Sequence, residues 1–162
     1  PWGVVRMAEE FGGGEVDPEC FEVMVATIRD LLCRFERRHD ILEHLKQGNV
    51  QMIGTSGTVT TIAGVHLDLD RYQRDKIDGR LMRFTEIRGI VDRLSHMTMA
   101  ELSAHPCIGQ ERADLVLPGC AIMEGILREW PVGRLRVADR GLREGILFNL
   151  IAEDRKGATP AL

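Results

Sequence analysis

The sequence predicts an α/β fold carrying an all-helical insertion. Two short apolar runs, at residues 50–53 and 135–137, each lead into a polar, glycine-bearing turn and then a helical pattern. Elsewhere the apolar residues recur at helical rather than alternating spacing. With 162 residues, 44% of them hydrophobic, the chain is long enough for one compact domain with its own core.

Taken in order, Val4, Val5, Arg6 and Met7 predict a short strand, followed by a flexible connection at Gly12, Gly13 and Gly14. Asp17 and Pro18 mark a helix start, with Asp at the cap and Pro in the first turn, where its missing N–H costs nothing. Phe21, Met24, Val25, Ile28, Leu31, Leu32, Phe35, Leu42 and Leu45 continue it as one long amphipathic helix, with room for a kink near His39 and Asp40, stopped at Gly48. Residues 50–53 read as a buried parallel strand. A helix then follows over residues 58–65, with Val59, Ile62 and Ala63 on one side.

A polar stretch over residues 68–83 separates this unit from a helical group. Thr85 is placed to cap a helix that buries Ile87, Ile90, Val91 and Leu94. Thr98 and Glu101 form a capping box, in which each side chain satisfies the other's free amide. Pro106 closes that element, residues 109–117 form a short helix ending before Pro118 and Gly119, and Ala121, Ile122, Ile126 and Leu127 begin the next. Residues 135–137 are the final strand. Asp139 is placed to cap a closing helix with an inner face of Leu142, Ile146, Leu147, Leu150 and Ile151, and residues 156–162 read as a flexible tail.

Charge and cysteine usage narrow the functional classes. The net charge of -4 and pI of about 5.8 lack the basic surplus by which phosphate contacts hold nucleic acid. Arg34, Arg37 and Arg38 are interleaved with Glu36 and read as a solvated helix face. Cys20, Cys33, Cys107 and Cys120 form no C-x-x-C pair and the histidines no ligand spacing, which leaves no zinc site and predicts reduced, mostly buried thiols in a cytoplasmic protein. No apolar run is long enough to span a membrane and no signal peptide is read, so neither a membrane nor a nucleic-acid partner is expected.

The two strand-to-helix turns carry the chemistry. In open α/β sheets ligands bind beyond the carboxyl ends of the strands. At Gly54, Thr55, Ser56, Gly57 and Thr58 the glycines let a ligand approach the backbone, amides point outward, and the following helix adds partial positive charge. Those features favour an anion, most often phosphate. The alternative is a tight turn with a Ser/Thr cap and no ligand. No G-K-[ST] follows, so this is not a Walker loop. The second turn crowds Asp139, Arg140, Gly141, Arg143, Glu144 and Gly145 around a helix start, and glycine used twice there predicts close packing against another backbone. Arg140 and Arg143 either pair with Asp139 and Glu144 or face an anion.

Three segments in this order, GTSGTVTTIAG from Gly54, RADLVLPG from Arg112 and VADRGLREGIL from Val137, resemble the exopolyphosphatase/guanosine pentaphosphate phosphohydrolase (Ppx/GppA) family. The resemblance runs from about residue 1 to residue 153. It implies an actin-like ATPase or ribonuclease-H-like fold, with residues 1–155 as the second, carboxyl-side domain, incomplete at its amino terminus. It further implies hydrolysis of terminal phosphoanhydrides of polyphosphate or guanosine pentaphosphate by Mg²⁺-assisted attack of water. On that template Gly54, Thr55, Ser56, Gly57, Thr58 and Arg112 face the phosphates, while Asp139, Arg140, Gly141, Arg143 and Glu144 line the cleft.

The family's first-domain hairpin, glutamate base and D-x-G-G-G-S-x-E loop have no counterpart in this sequence. PWGVVRMAEEF therefore reads as starting mid-domain, and the expectation is a fragment without a catalytic residue of its own. The missing amino-terminal domain and a second copy of the chain are its expected protein partners. Metal ligands are not identified: Asp68 and Asp70 sit in a polar connection, and Glu9 and Glu10 read as surface charge. With 5% aromatics and none in the Gly54 loop, polyphosphate is favoured over the guanosine nucleotide. The alternative function is a non-catalytic (p)ppGpp-binding or dimerisation module of the same fold.

Overall fold

A computed structural model describes residues 2–12, 16–48 and 50–157. The elements are α1 (Val4–Phe11), α2 (Pro18–His39), α3 (Ile41–Lys46), β1 (Met52–Gly54), α4 (Gly57–His66), α5 (Arg74–Ile77), β2 (Leu81–Arg83), α6 (Phe84–Ser95), α7 (Met99–Ala104), α8 (Ala113–Glu129), β3 (Arg134–Val137) and α9 (Leu142–Gly157). The strands form one sheet in the order β1-β3-β2, with β1 parallel and β2 antiparallel to β3.

Helix α8 is the structural axis, packing against α1, α2, α4, α6 and α7. Its glycines allow this. A Cβ on Gly119 would overlap the Thr58 side chain of α4, and one on Gly125 would stand 2.8 Å from Ile28 Cγ2 of α2. Each fully buried aliphatic side chain here, such as Leu127, Ile62 or Met24, contributes about 1.5–3 kcal/mol of transfer free energy. Glu124 is buried on the same helix and receives bonds from Arg88 Nε at 3.1 Å and Arg128 Nε at 2.7 Å, so its charge is matched.

Several expectations are corrected. Residues 4–7 begin a helix rather than a strand: α1 packs against α8 and buries the consecutive residues Met7 and Ala8, which the alternation of a strand would place on opposite faces. The long helix is two: Asp40 takes a left-handed conformation (φ 50°), its amide closing α2 on Glu36 O at 2.8 Å. Pro118 does not end a helix but lies inside α8, where burial on several sides outweighs one forfeited backbone bond. The helix expected over residues 109–117 therefore does not stand alone. Thr85 lies within α6, whose start is closed by the Arg83 amide donating to Glu86 at 2.6 Å. The polar stretch over residues 68–83 contains α5 and β2, so the insertion is not all-helical.

The helix start at Asp17, whose carboxylate accepts from the Cys20 amide at 2.7 Å, and the reciprocal Thr98–Glu101 box stand as read. Cys107 and Cys120 are buried, Cys20 and Cys33 partly so, and all four are free thiols. Gly12 ends α1 with φ 81°, whereas Gly13 and Gly14 lie outside the described residues, as do residues 158–162 of the expected tail.

The sheet is covered on one face only. Leu135, Val137 and Met82 point into the core, while Ile53, Arg136 and Leu81, directly opposed across the three strands, lie on the open face. Strand β1 is parallel to β3, as expected, but it is an exposed edge, with Ile53 55% accessible, and not a buried strand. Nor does α9 turn an inner face to the domain: Leu142, Ile146, Leu147, Leu150 and Ile151 are all exposed, with Phe148 beside them.

Candidate phosphate-binding cleft

The two polar turns meet. The Ala138 amide donates to Gly54 O at 2.8 Å, which ties the ends of the parallel strands β1 and β3 together. Beyond that link opens a cleft of about 800 Å³ lined by Thr55, Ser56 and Gly57 on one side and by Asp139, Arg140, Gly141, Arg143 and Glu144 on the other. Arg112, immediately before α8, also lines it, together with the loop over residues 106–109. That loop is pinned by the Cys107 thiol, which donates to Leu69 O at 3.3 Å.

Local chemistry shapes each wall. Ser56 caps α4, its hydroxyl accepting from the Val59 amide at 3.3 Å. Among the described residues the amides of Gly57 and Thr58 donate to no protein acceptor, so the start of α4 remains open. Gly57 faces clear space. Gly54 is glycine for a different reason: a Cβ there would lie 2.8 Å from Val59 Cγ2. Gly54 and Thr58 are therefore packing residues of the loop, not lining residues of the cleft, because Thr58 turns its side chain onto Gly119.

The closing turn is held by charge. Asp139 does not cap α9; its carboxylate pairs with Arg74 Nε at 3.1 Å. The Gly141 amide donates to Glu144 at 2.7 Å, and that bond holds the Glu144 carboxyl below its ordinary range. Arg140 pairs with Asp78 at 3.5 Å, and the Asp139 amide donating to Asp78 holds that carboxyl low as well. The expected close packing at Gly141 and Gly145 is not found: a Cβ at Gly145 meets nothing within 4 Å, and the close helix contacts are those of α8. Arg112 and Arg143 make no ion pair among the described residues.

Sequence reasoning missed Tyr72, Arg74 and Asp78. Tyr72 lines the cleft, and burial, then the neighbouring Asp139 carboxylate, push its phenol up to about 12. A cluster of polar residues before Ile77 was the available sign, but nothing local says that it folds over the closing turn.

In a chain of net charge -4, four arginines (Arg74, Arg112, Arg140 and Arg143) and two carboxylates face one cleft, beside the open start of α4. The arrangement can bind phosphate oxygens through backbone amides and guanidinium groups. Both carboxylates are engaged, Asp139 by Arg74 and Glu144 by the Gly141 amide. The fit to magnesium is poor: among the described residues no group of three metal-ligating side chains occurs, and Asp70 is taken by Gln73 Nε2 at 3.1 Å. No helix among these residues is long and apolar enough to cross a membrane.

The fold is that of an actin-like α/β domain, with a cleft lined by arginines at the end of its parallel strands. Residues 1–154 match the Ppx/GppA phosphatase family, and the chain belongs to it. It is 25% identical over 154 residues to a Haemophilus influenzae protein provisionally named as an exopolyphosphatase, covering 91% of this chain and 43% of that one. The crystal structure of the Aquifex aeolicus family member superposes with a TM-score of 0.76 at 23% identity, over 95% of this chain and 48% of that one. An exopolyphosphatase from Cytophaga hutchinsonii gives 0.77 at 20% identity, over 93% and 48%. The chain thus spans about half the length of the relatives it matches.

Proposed function

We propose that the cleft binds the phosphate groups of a phosphoanhydride, either inorganic polyphosphate or guanosine pentaphosphate. In this reading the chain supplies binding, and not the base, to hydrolysis of the terminal phosphoanhydride by water. The observation that carries it is the Ala138–Gly54 bond, which brings the Gly57 end of α4, with its open amide, to the same cleft as Arg112 and Arg143. The family's exopolyphosphatase-type relatives support the substrate class. The magnesium ion implied by the family finds no ligand set among the described residues, and no step is routed through it.

Titration calorimetry with tripolyphosphate tests the reading, alongside phosphate release with and without Mg²⁺. Saturable binding without turnover is expected. Rapid Mg²⁺-dependent release by this chain alone would refute the binding-only role, and absence of binding would refute the phosphate site. Competition by guanosine pentaphosphate decides between the two substrates, a choice reopened by the aromatic Tyr72 in the cleft.

A second reading, a dimerisation module of the same fold, is favoured by the exposed apolar residues of α9. Sedimentation at increasing concentration tests it: a monomer throughout removes it, and a dimer dispersed by Leu147→Asp supports it.

A further inference from the structure

Every polar group of Asp139 is taken by one segment of the insertion. Arg74 pairs through Nε with its carboxylate at 3.1 Å and donates from Nη2 to its carbonyl oxygen. The Asp139 amide donates to Asp78 Oδ1 at 2.9 Å. The other oxygen of Asp78 lies 3.5 Å from Arg140 Nε, so one carboxylate grips two successive residues of the turn. Just beyond, the backbone is stitched by Gly79 N to Val137 O at 2.9 Å and by Val137 N to Arg80 O at 2.7 Å.

We propose that Arg74 and Asp78 are positioning residues for the cleft: they latch the turn at Asp139 and Arg140, and so fix where Arg143 and the start of α9 face the bound anion. This inference rests on the phosphate-binding reading of the same cleft. The physical need for a latch is plain from what α9 lacks. Its apolar side chains are exposed, so core packing does not set its direction. Among the described residues the side-chain bonds that hold its first turn from outside are those at Asp139 and Arg140, and a helix aimed by one turn pivots when that turn loosens. Neutralisation matters too. With Asp139 matched by Arg74 and Arg140 by Asp78, the cations left for a ligand are Arg112 and Arg143. Loss of Arg74 would leave the Asp139 carboxylate unmatched in a site meant for an anion, while loss of Asp78 would free Arg140 to turn away or collapse onto Asp139.

The test uses the full chain and two readouts, hydrogen exchange at the amides of residues 139–145 and tripolyphosphate affinity. Arg74→Ala should speed exchange in that window and weaken affinity about tenfold, a coupling typical of residues sharing one network. Arg74→Lys should recover part of both, because it restores the charge but not the paired bonds. Combined with Arg143→Ala, the loss from Arg74→Ala should shrink, since a latch that aims Arg143 has nothing left to aim. Unchanged exchange and affinity in Arg74→Ala and in Asp78→Asn would overturn the latch. Faster exchange with fully additive affinity losses would reduce it to a structural brace. A wild-type chain that binds no tripolyphosphate would overturn the phosphate reading and the positioning role with it, whereas the exchange comparison would still decide whether the latch exists.

Discussion

The amide of Ala138 donates to the carbonyl of Gly54 at 2.8 Å, joining two residues 84 positions apart at the mouth of the cleft. Parallel strands present their turns at the same sheet edge, so this bond places one strand-to-helix turn beside the other. Consequences for the two glycines of the first turn, for the lining cations and for the helix packing beneath can each be measured.

Gly57 and Gly54 should respond oppositely. Gly57→Val meets no neighbour within 4 Å and should leave the unfolding midpoint nearly unchanged, yet shield the open amides and weaken tripolyphosphate binding about tenfold or more. Gly54→Val drives methyls into Val59 and Leu135 and should destabilise the fold by about 1–3 kcal/mol. Thermal melts paired with calorimetry separate the two effects. Retained affinity in Gly57→Val would leave the turn as a simple Ser-capped bend.

Arg112→Ala should weaken tripolyphosphate binding by ~1.5–3 kcal/mol, the range of a charge-assisted bond, while sparing stability because the side chain is exposed and unpaired among the described residues. Calorimetry on the variant reads this directly, and unchanged binding would remove Arg112 from the site.

Gly119→Ala sets helix propensity, worth about 1 kcal/mol in its favour, against overlap with Thr58. Thr58 crowds the site with Oγ1, Cγ2 and Cβ together, so rotation about its side-chain bond gives no escape and the substitution should destabilise. On a Thr58→Ala background the same change should become neutral or stabilising. A double-mutant cycle by chemical denaturation checks the reversal of sign.

Tyr72 is the only tyrosine in the chain, so its ionisation can be followed by ultraviolet absorbance without interference. The midpoint should lie near 12 and not at the ordinary value of 10. Asp139→Asn should bring it down part of the way, removing the carboxylate but not the burial. Because the phenol is raised in the folded state, the stability it contributes is complete below pH 10 and is lost as pH climbs from 10 towards 12. A midpoint at 10 in both proteins would mean that the hydroxyl does not face Asp139.

The sequence made the two strand–turn–helix units legible because their signals are local. Apolar strands ended by glycine, Ser56 as a cap, and the Thr98–Glu101 box all act within a few residues. Local rules also misled. Val4 and Val5 favour a strand in isolation, but burial of Met7 and Ala8 beside α8 sets a helix there. Pro118 ordinarily stops a helix, yet the surrounding core carries α8 through it. Strand β2 is three residues long, too short for periodicity to register, and exists because β3 offers it partners.

By itself the sequence determined that this is an α/β domain of the Ppx/GppA family, with glycine- and hydroxyl-rich turns suited to an anion, because those properties are written in residues that are neighbours along the chain. Tertiary structure alone decided which glycines serve packing and which leave backbone open, that Asp139 pairs with Arg74 in place of capping α9, and which arginines are left for a ligand. The physical reason is range. Caps and turns close over three or four residues, whereas the charge pairs and helix contacts that finish the cleft join residues about sixty positions apart, such as Arg74 with Asp139 and Thr58 with Gly119.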